Sequence, residues 1–337
     1  MALLEPTPQG LYCPAGGFYI DAWAPVERTL VTHAHGDHVG WGARWYLTSE
    51  PGAPLLRRRL GEGAVIEHLA YGATQTLSDV RISFHPAGHI LGSSQIRIEH
   101  RGEVWVVSGD YKTVPDPTCA PFEPLRCHTF VTESTFGLPI YRWDPDAEIF
   151  ADLHRWWRAN QEAGRASLLL AYSLGKAQRV LSGLDPTQGP ILTHGAVEAM
   201  TEVYRAGGVS LVPTTRVADA PNAVLRHALV VAPPGSERTP WARRLGDAAT
   251  AMASGWMRVR GMRRRYGVDR GFALSDHADW SGLLSAIAAT GAEQVLVTHG
   301  YATVLSRWLG EQGLKSGIIP TRWEGEQDDT APDELPA

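Results

Sequence analysis

The sequence predicts an α/β protein in two parts, and three observations carry that prediction. Residues 1–137 read as short strands joined by Gly- and Pro-rich loops. From about Ala147 helices and strands alternate, the pattern of a largely parallel sheet. After Gly271 the strand-loop-helix pattern returns, with no long linker, so the alternating part reads as an insertion integral to the fold. The chain has 337 residues, 44% hydrophobic and 20% charged, which suffices for a sizeable core and is the composition of a folded globular protein.

Taken in order, Arg28–Thr32 is a short apolar run that stops at a histidine cluster. Val80–His85, Ser94–His100 and Val104–Ser108 are the next strands. In Ser94–His100, Ile96 and Ile98 alternate with Gln95, Arg97 and Glu99, so one face is buried. Arg101-Gly102 is a hairpin turn. A helix is expected over Glu148–Glu162, a strand over Ala166–Tyr172 and a second helix over Ala177–Gly183. Strand Pro190–Thr193, helix Ala196–Arg205 and strand Leu225–Ala232 complete the alternation. The last part carries strand Phe272–Leu274, helix Trp280–Thr290 and strand Gln294–Val297. No apolar run is long enough to span a bilayer, so no membrane partner is expected. The stretch Met1–Gly10, with Glu5 and two prolines, does not read as a signal peptide. Cys13, Cys119 and Cys127 are odd in number and lack C-x-x-C spacing, which argues against a disulfide framework and fits the cytoplasm.

The formal net charge of −5 hides an asymmetry. Residues 138–271 hold 18 Arg and Lys against 12 Asp and Glu, a local net of +6, whereas the rest of the chain carries −11. Such a distribution can mark a polyanion-binding lobe, and it is equally what a set of solvated helix faces would show. The densest basic stretch is Arg258, Arg260, Arg263, Arg264 and Arg265, the best candidates for backbone phosphate contacts. Six acids and no bases fall within Glu324–Ala337, a solvated tail.

The most specific local feature is His33-Ala34-His35-Gly36-Asp37-His38, directly after the strand that ends in Thr32. Four ligand types in six residues converge only if the backbone turns tightly, which Gly36 permits. Imidazoles with a carboxylate suit zinc first and manganese second. Each histidine alone has a structural explanation; the four groups together do not. Three further ligand types follow strands: His89 in Gly88-His89, Asp110 in Gly109-Asp110 and His299 in Thr298-His299-Gly300. They are best explained as parts of one convergent site. Ser173, Gly175 and Lys176 sit between a strand and a helix, a setting that suits a phosphate and suits the capping of a structural turn equally well. The segment lacks the second glycine and the Lys-Ser/Thr pair of a nucleotide-binding loop.

In order and separation, H-A-H-G-D-H, G-H and G-D resemble the motifs of the metallo-β-lactamase superfamily, and Asp21 in Tyr19-Ile20-Asp21 resembles its first motif, an Asp that braces the histidine loop. Glu133 in T-E-S-T-F-G resembles acidic motif A of the β-CASP nuclease subfamily, His277 in S-D-H-A-D the motif B histidine, and His299 the motif C histidine. Tyr172–Lys176 and Ala253–Met257 look like segments of the β-CASP insertion. The resemblance covers nearly the whole chain, and its wording is most similar to the bacterial DNA ligase-associated exonucleases.

That resemblance implies a four-layer αβ/βα sandwich from residues 1–137 and 272–337, a β-CASP-like domain from 138–271, and an active site in the cleft they share. It implies that His33, His35 and His89 hold one divalent metal, Asp37, His38 and His299 a second, and that Asp110 bridges them. It makes Ser173, Gly175 and Lys176 a candidate terminal-phosphate pocket. His277 is then the expected general acid, oriented by Glu133. The implied activity is metal-dependent hydrolysis of DNA phosphodiester bonds from a free or single-stranded end, in repair, alongside a DNA ligase and a helicase. A β-CASP ribonuclease is the alternative, since a motif C histidine is commoner among the RNA enzymes. A small-ester metallohydrolase would share His33 to Asp110 but has no use for Glu133, His277 and a basic insertion. A binding module without catalysis would not be expected to keep the whole ligand set.

Overall fold

The computed structural model describes residues 2–320, which fall into two compact units, 2–142 with 277–320 and 143–276. The acidic segment Glu324–Ala337 lies outside the described residues. No helix among the described residues is long and apolar enough to cross a membrane.

The first unit is built on two mixed sheets. One runs Glu5–Thr7, Gly10–Cys13, Phe18–Ile20, Arg28–Leu30, Trp45–Ser49 and Ile66–Leu69, antiparallel at its start and parallel thereafter. The other runs Lys315–Ile318, Gln294–Val297, Thr129–Thr132, Glu103–Val107, Ser94–His100, Val80–Pro86 and Thr74–Leu77. Its first four strands are parallel and the remainder antiparallel. Phe18, Ile20, Leu30 and Leu47 from the first sheet share one buried cluster with Ile82, Phe84, Ile96 and Ile98 from the second. The alternation expected for Ser94–His100 holds only in its second half: Ile96 and Ile98 are wholly buried and Arg97 and Glu99 half so. Gln95 is wholly buried too, its Nε2 donating to the Pro86 and Glu123 carbonyls. Arg101 and Gly102 both take positive φ, 51° and 87°, as a type I′ turn requires, and this sets Glu103 opposite His100. Helix Ala53–Leu60 covers part of the other face of the first sheet through Leu56 against Val31 and Tyr46. Helices Trp280–Thr290 and Ala302–Glu311 cover the second through Leu283 and Leu305 against Val106, Phe130 and Val295.

The second unit is the expected alternation. Its six strands are all parallel, in the order Thr215–Arg216, Ile191–Thr193, Leu229–Ala232, Ser167–Leu170, Ala249–Ala253 and Arg270–Phe272. Ser167–Leu170 and Leu229–Ala232 are buried at every position, as parallel strands covered on both faces must be. Helix Asp146–Glu162 packs Leu153 and Trp157 onto Leu169 and Val231. The apolar run expected as one strand over Leu225–Ala232 divides into a helical turn, Asn222–Leu225, and the strand itself.

The two units divide a few residues later at each junction than the 137/138 and 271/272 boundaries read from the sequence. Packing explains both shifts. Arg270–Phe272 pairs with Ala249–Ala253, and Phe272 lies in the core of the second unit. At the other junction Tyr141 stays with the first unit, its carbonyl accepting from Trp280 N at 3.1 Å and its ring set against Phe136. Helix Arg260–Tyr266 was not legible as a helix, because it buries none of its residues and so carries no apolar stripe.

Candidate metal centre

The histidine loop leaves the strand Arg28–Leu30 and is fixed at once by Asp21. Asp21 Oδ1 accepts from Thr32 N at 2.8 Å, and Oδ2 accepts from Thr32 Oγ1 at 2.6 Å. The same Oδ2 lies 2.7 Å from His38 Nδ1, which leaves Nε2 as the ring nitrogen available to a ligand. Asp21 holds φ = +46°, a conformation uncommon outside glycine that tends to mark sites under functional constraint. His299 shares this feature, with φ = +53°, and its carbonyl accepts a hydrogen bond from Ser134 Oγ.

Two glycines make the convergence possible. Gly88, at φ = +75°, precedes His89, and a Cβ there would lie 2.4 Å from the Lys112 carbonyl oxygen. Gly300, at φ = +61°, follows His299, and a Cβ there would lie 2.4 Å from the Ser134 carbonyl oxygen. Neither position admits a side chain without moving backbone.

The ligand types singled out in the sequence meet in two groups. One nitrogen or oxygen from each of His33, His35, His89 and Asp110 lies within 4.8 Å of the others, and Asp37, His38 and His299 form a second such group. Asp110 Oδ2 stands between them, 3.6 Å from His33 Nε2, 3.9 Å from His89 Nε2 and 3.5 Å from His38 Nε2. His38 Nε2 is also 3.8 Å from Asp37 Oδ2.

The electrostatics of the pocket call for positive charge. Burial opposes ionisation of Asp110, yet His38, His277 and His33 around it hold its carboxyl well below the usual carboxylate range. Burial pushes the imidazoles of His33 and His299 down, so both are neutral near pH 7. His38 goes the other way: burial again opposes charge, but Asp110, Asp37 and Asp21 together raise it well above the ordinary value. His33 Nε2, His38 Nε2 and Asp110 Oδ1 are buried without a hydrogen-bond partner. Orphaned buried polar atoms are rare and costly, and three on residues of one ligand cluster fit a cation. Neutral imidazole nitrogens with carboxylate oxygens are the donor set of zinc or manganese.

Glu133 and His277 join the same neighbourhood. His277 Nδ1 is 3.0 Å from both Glu133 oxygens, and Glu133 also accepts from Tyr111 N at 2.7 Å and Thr135 N at 3.3 Å. The His277 ring packs 4.6 Å from that of His89 and is 3% exposed. The cap of the following helix, Trp280–Thr290, is Asp279, which accepts from Gly282 N at 2.7 Å.

The residues singled out in the second unit have other occupations. Lys176 is wholly buried and ion-paired with Asp276. Gly175 N donates to Gln178 Oε1 at 2.8 Å, Lys176 N to the Leu174 carbonyl at 3.2 Å and Ala177 N to the Tyr172 carbonyl at 3.0 Å. Ser173 is buried, with its carbonyl accepting from Gln178 Nε2. The Lys176 cation and the Gly175 N–H thus have partners within the second unit, as they would in a capped turn. Arg258 is exposed and pairs with Asp144 Oδ2 at 2.8 Å. Arg260, Arg263, Arg264 and Arg265 are exposed on helix Arg260–Tyr266, and none forms an ion pair among the described residues.

Sequence reasoning missed Thr32, Ser134 and Asp276. The first two are small hydroxyl residues, Thr32 adjoining the expected ligand His33 and Ser134 adjoining Glu133, and adjacency was the available signal. Asp276 adjoins His277 in sequence, but its partner Lys176 is 100 residues away and nothing local announces the pair.

Fold and side chains together define a buried multi-histidine pocket suited to divalent metal, carried by paired mixed sheets. No family model matches the chain. It is 35% identical to a probable DNA ligase of Opitutus terrae over 92% of its own length and 30% of that protein. It is 29% identical to the transcription termination factor FttA of Pyrococcus abyssi, over 54% of this chain and 34% of that one. It is 30% identical to the endoribonuclease ysh-1 of Neurospora crassa, over 37% of this chain and 15% of that one. The chain thus spans about a third or less of these relatives. A solved protein of unknown function from Enterococcus faecalis has the same fold, with a TM-score of 0.60 at 14% identity over 88% of this chain and 80% of that one. The resemblance read from the motifs, to the β-CASP nucleases of the metallo-β-lactamase superfamily, holds.

Proposed function

We propose that the chain is a metal-dependent nuclease that hydrolyses DNA phosphodiester bonds from an end, by a two-metal mechanism, in DNA repair. One observation carries this reading: Asp110 stands within 4 Å of imidazoles from both ligand groups, as a carboxylate shared by two metals would. His33, His35 and His89 would hold one ion, and Asp37, His38 and His299 the other, zinc first and manganese second. Bound there, the ions would supply an activated water and neutralise the charge that develops on the scissile phosphate. The chain's own part is proton transfer. Glu133 engages His277 Nδ1, which leaves Nε2 to protonate the departing 3′-oxygen, making Glu133 the positioning residue and His277 the general acid. In this reading the first unit is the four-layer αβ/βα sandwich and the second the inserted β-CASP domain. The protein works in the cytoplasm.

The likeness to a probable DNA ligase over nearly the whole chain supports DNA and a functional link to a ligase; action at an end and a helicase companion rest on the motif resemblance alone. A second reading, cleavage of RNA, is favoured by His299 in the motif C position and by the endoribonuclease among the relatives. End-labelled single-stranded DNA and RNA of matched sequence, offered to protein stripped and resupplied with zinc or manganese, separate the two. Stepwise loss of DNA alone supports repair, preferential loss of RNA moves the protein to RNA processing, and inertness toward both leaves the small-ester hydrolase.

A further inference from the structure

A pocket opens beside the second ligand group. Its lining joins the polar Asp37, His38 and His299 to the apolar Leu11, Ile20, Val131 and Trp23. Trp23 is half-buried and not free to swing. Its Nε1 donates to the Pro8 carbonyl at 2.7 Å and its backbone N to the Gln9 carbonyl at 3.1 Å. A second tether runs through Gly40, whose N donates to the Ala22 carbonyl at 2.9 Å and which admits no Cβ against that oxygen. The loop carrying Trp23 is thereby tied to the loop that continues from His38.

We infer that this cavity is a subsite for one unpaired nucleobase of the substrate strand, with the Trp23 indole as its stacking face. The inference rests on the nuclease reading, which supplies the phosphate. A scissile phosphate held beside Asp37, His38 and His299 would place its own nucleoside within reach of the walls those residues share with Trp23. A flat heteroaromatic group has the apolar faces such walls need, and base stacking on an aromatic ring is tolerant of sequence. The indole is already fixed, so little ordering cost attends binding. A paired base would have to bring its complement into a cavity bounded by the cores of two sheets, so the subsite selects single strands or frayed ends. It recognises the base rather than the sugar, and therefore takes DNA and RNA alike.

The test compares dAMP with deoxyribose 5-phosphate by calorimetry on zinc-loaded protein, then repeats it with Trp23→Ala and Trp23→Phe. The base should tighten binding about tenfold in the natural protein, not at all in Trp23→Ala, and most of the gain should return in Trp23→Phe, which keeps a ring. Zinc content should be equal in all three. A base contribution of zero in the natural protein, or one that survives in Trp23→Ala, overturns the subsite. Oligonucleotides that remain uncut while dAMP is still preferred through Trp23 would sink the nuclease reading and leave the subsite standing.

Discussion

Two segments of this chain look alike in sequence and behave as opposites in structure. His33–His38 and Ser173–Lys176 each follow a strand, each turn at a glycine, and each place polar side chains where a ligand could be held. The first leaves the buried Nε2 atoms of His33 and His38 without hydrogen-bond partners. The second closes on itself: Gln178 takes up the Gly175 N–H and the Ser173 carbonyl, and Asp276 takes up the charge of Lys176. Burial alone does not distinguish them, since the Lys176 side chain is as fully buried as those of His33 and His89. Unfinished bonding does. A folded chain carries unpaired buried polar atoms where something else is meant to complete them.

The sharpest way to break the comparison is to remove Asp110, the group common to both halves of the metal pocket. Asp110→Ala is expected to lose at least one equivalent of zinc by elemental analysis, the rise in melting temperature that zinc gives the natural protein, and turnover by roughly a thousandfold or more. Retained zinc with lost turnover would mean that Asp110 is not a ligand. Lys176→Met is expected to act only through the fold. Removing one member of a buried ion pair typically costs about 3–5 kcal/mol, and Lys176→Met with Asp276→Leu should recover much of it. Unfolding in urea reads this directly. A stable Lys176→Met that instead weakens binding of 5′-phosphorylated oligonucleotides would restore the phosphate pocket.

His277→Ala comes next in size. It should leave zinc content unchanged and cut turnover about a hundredfold or more, as expected for a lost general acid. Glu133→Gln should give a smaller loss of turnover with unchanged zinc, because it acts through the orientation of His277. Zinc lost with either variant would move that residue into the ligand set.

What the sequence revealed, and what it hid, follows from range. His33 to His38 were readable because four ligand types in six residues have no common structural explanation. His89, Asp110 and His299 were readable because each follows a strand and so faces the same edge. Lys176 was readable two ways for the converse reason. Its glycine, its helix and its charge were all visible, but the carboxylate that neutralises it comes from a residue 100 positions later. The helices and strands of the second unit were largely legible because buried parallel strands are continuous apolar runs. Glu5–Thr7 and Phe18–Ile20 of the first sheet were not, being too short to show a period.

The smallest expected effect concerns the exposed arginines, where bonding also decides which residues matter. Arg258 shares its charge with Asp144, as Lys176 does with Asp276, but in weaker, solvent-screened form. Arg260, Arg263, Arg264 and Arg265 have no such partner among the described residues, yet their placement has a local explanation. Three of the four lie in the last turn of a short helix, where cations complement the helix dipole. Exposure therefore does not by itself argue for a phosphate, and the salt dependence of binding must. Each arginine that contacts a single-stranded backbone should contribute about 0.7 to the slope of log affinity against log salt. Changing all four to glutamine should lower that slope by two to three if the helix lies on the strand, roughly, while Arg258→Gln should lower it by less than one. An unchanged slope with unchanged stability would leave these residues as a solvated helix face, and the positive balance of the insertion without a nucleic-acid meaning.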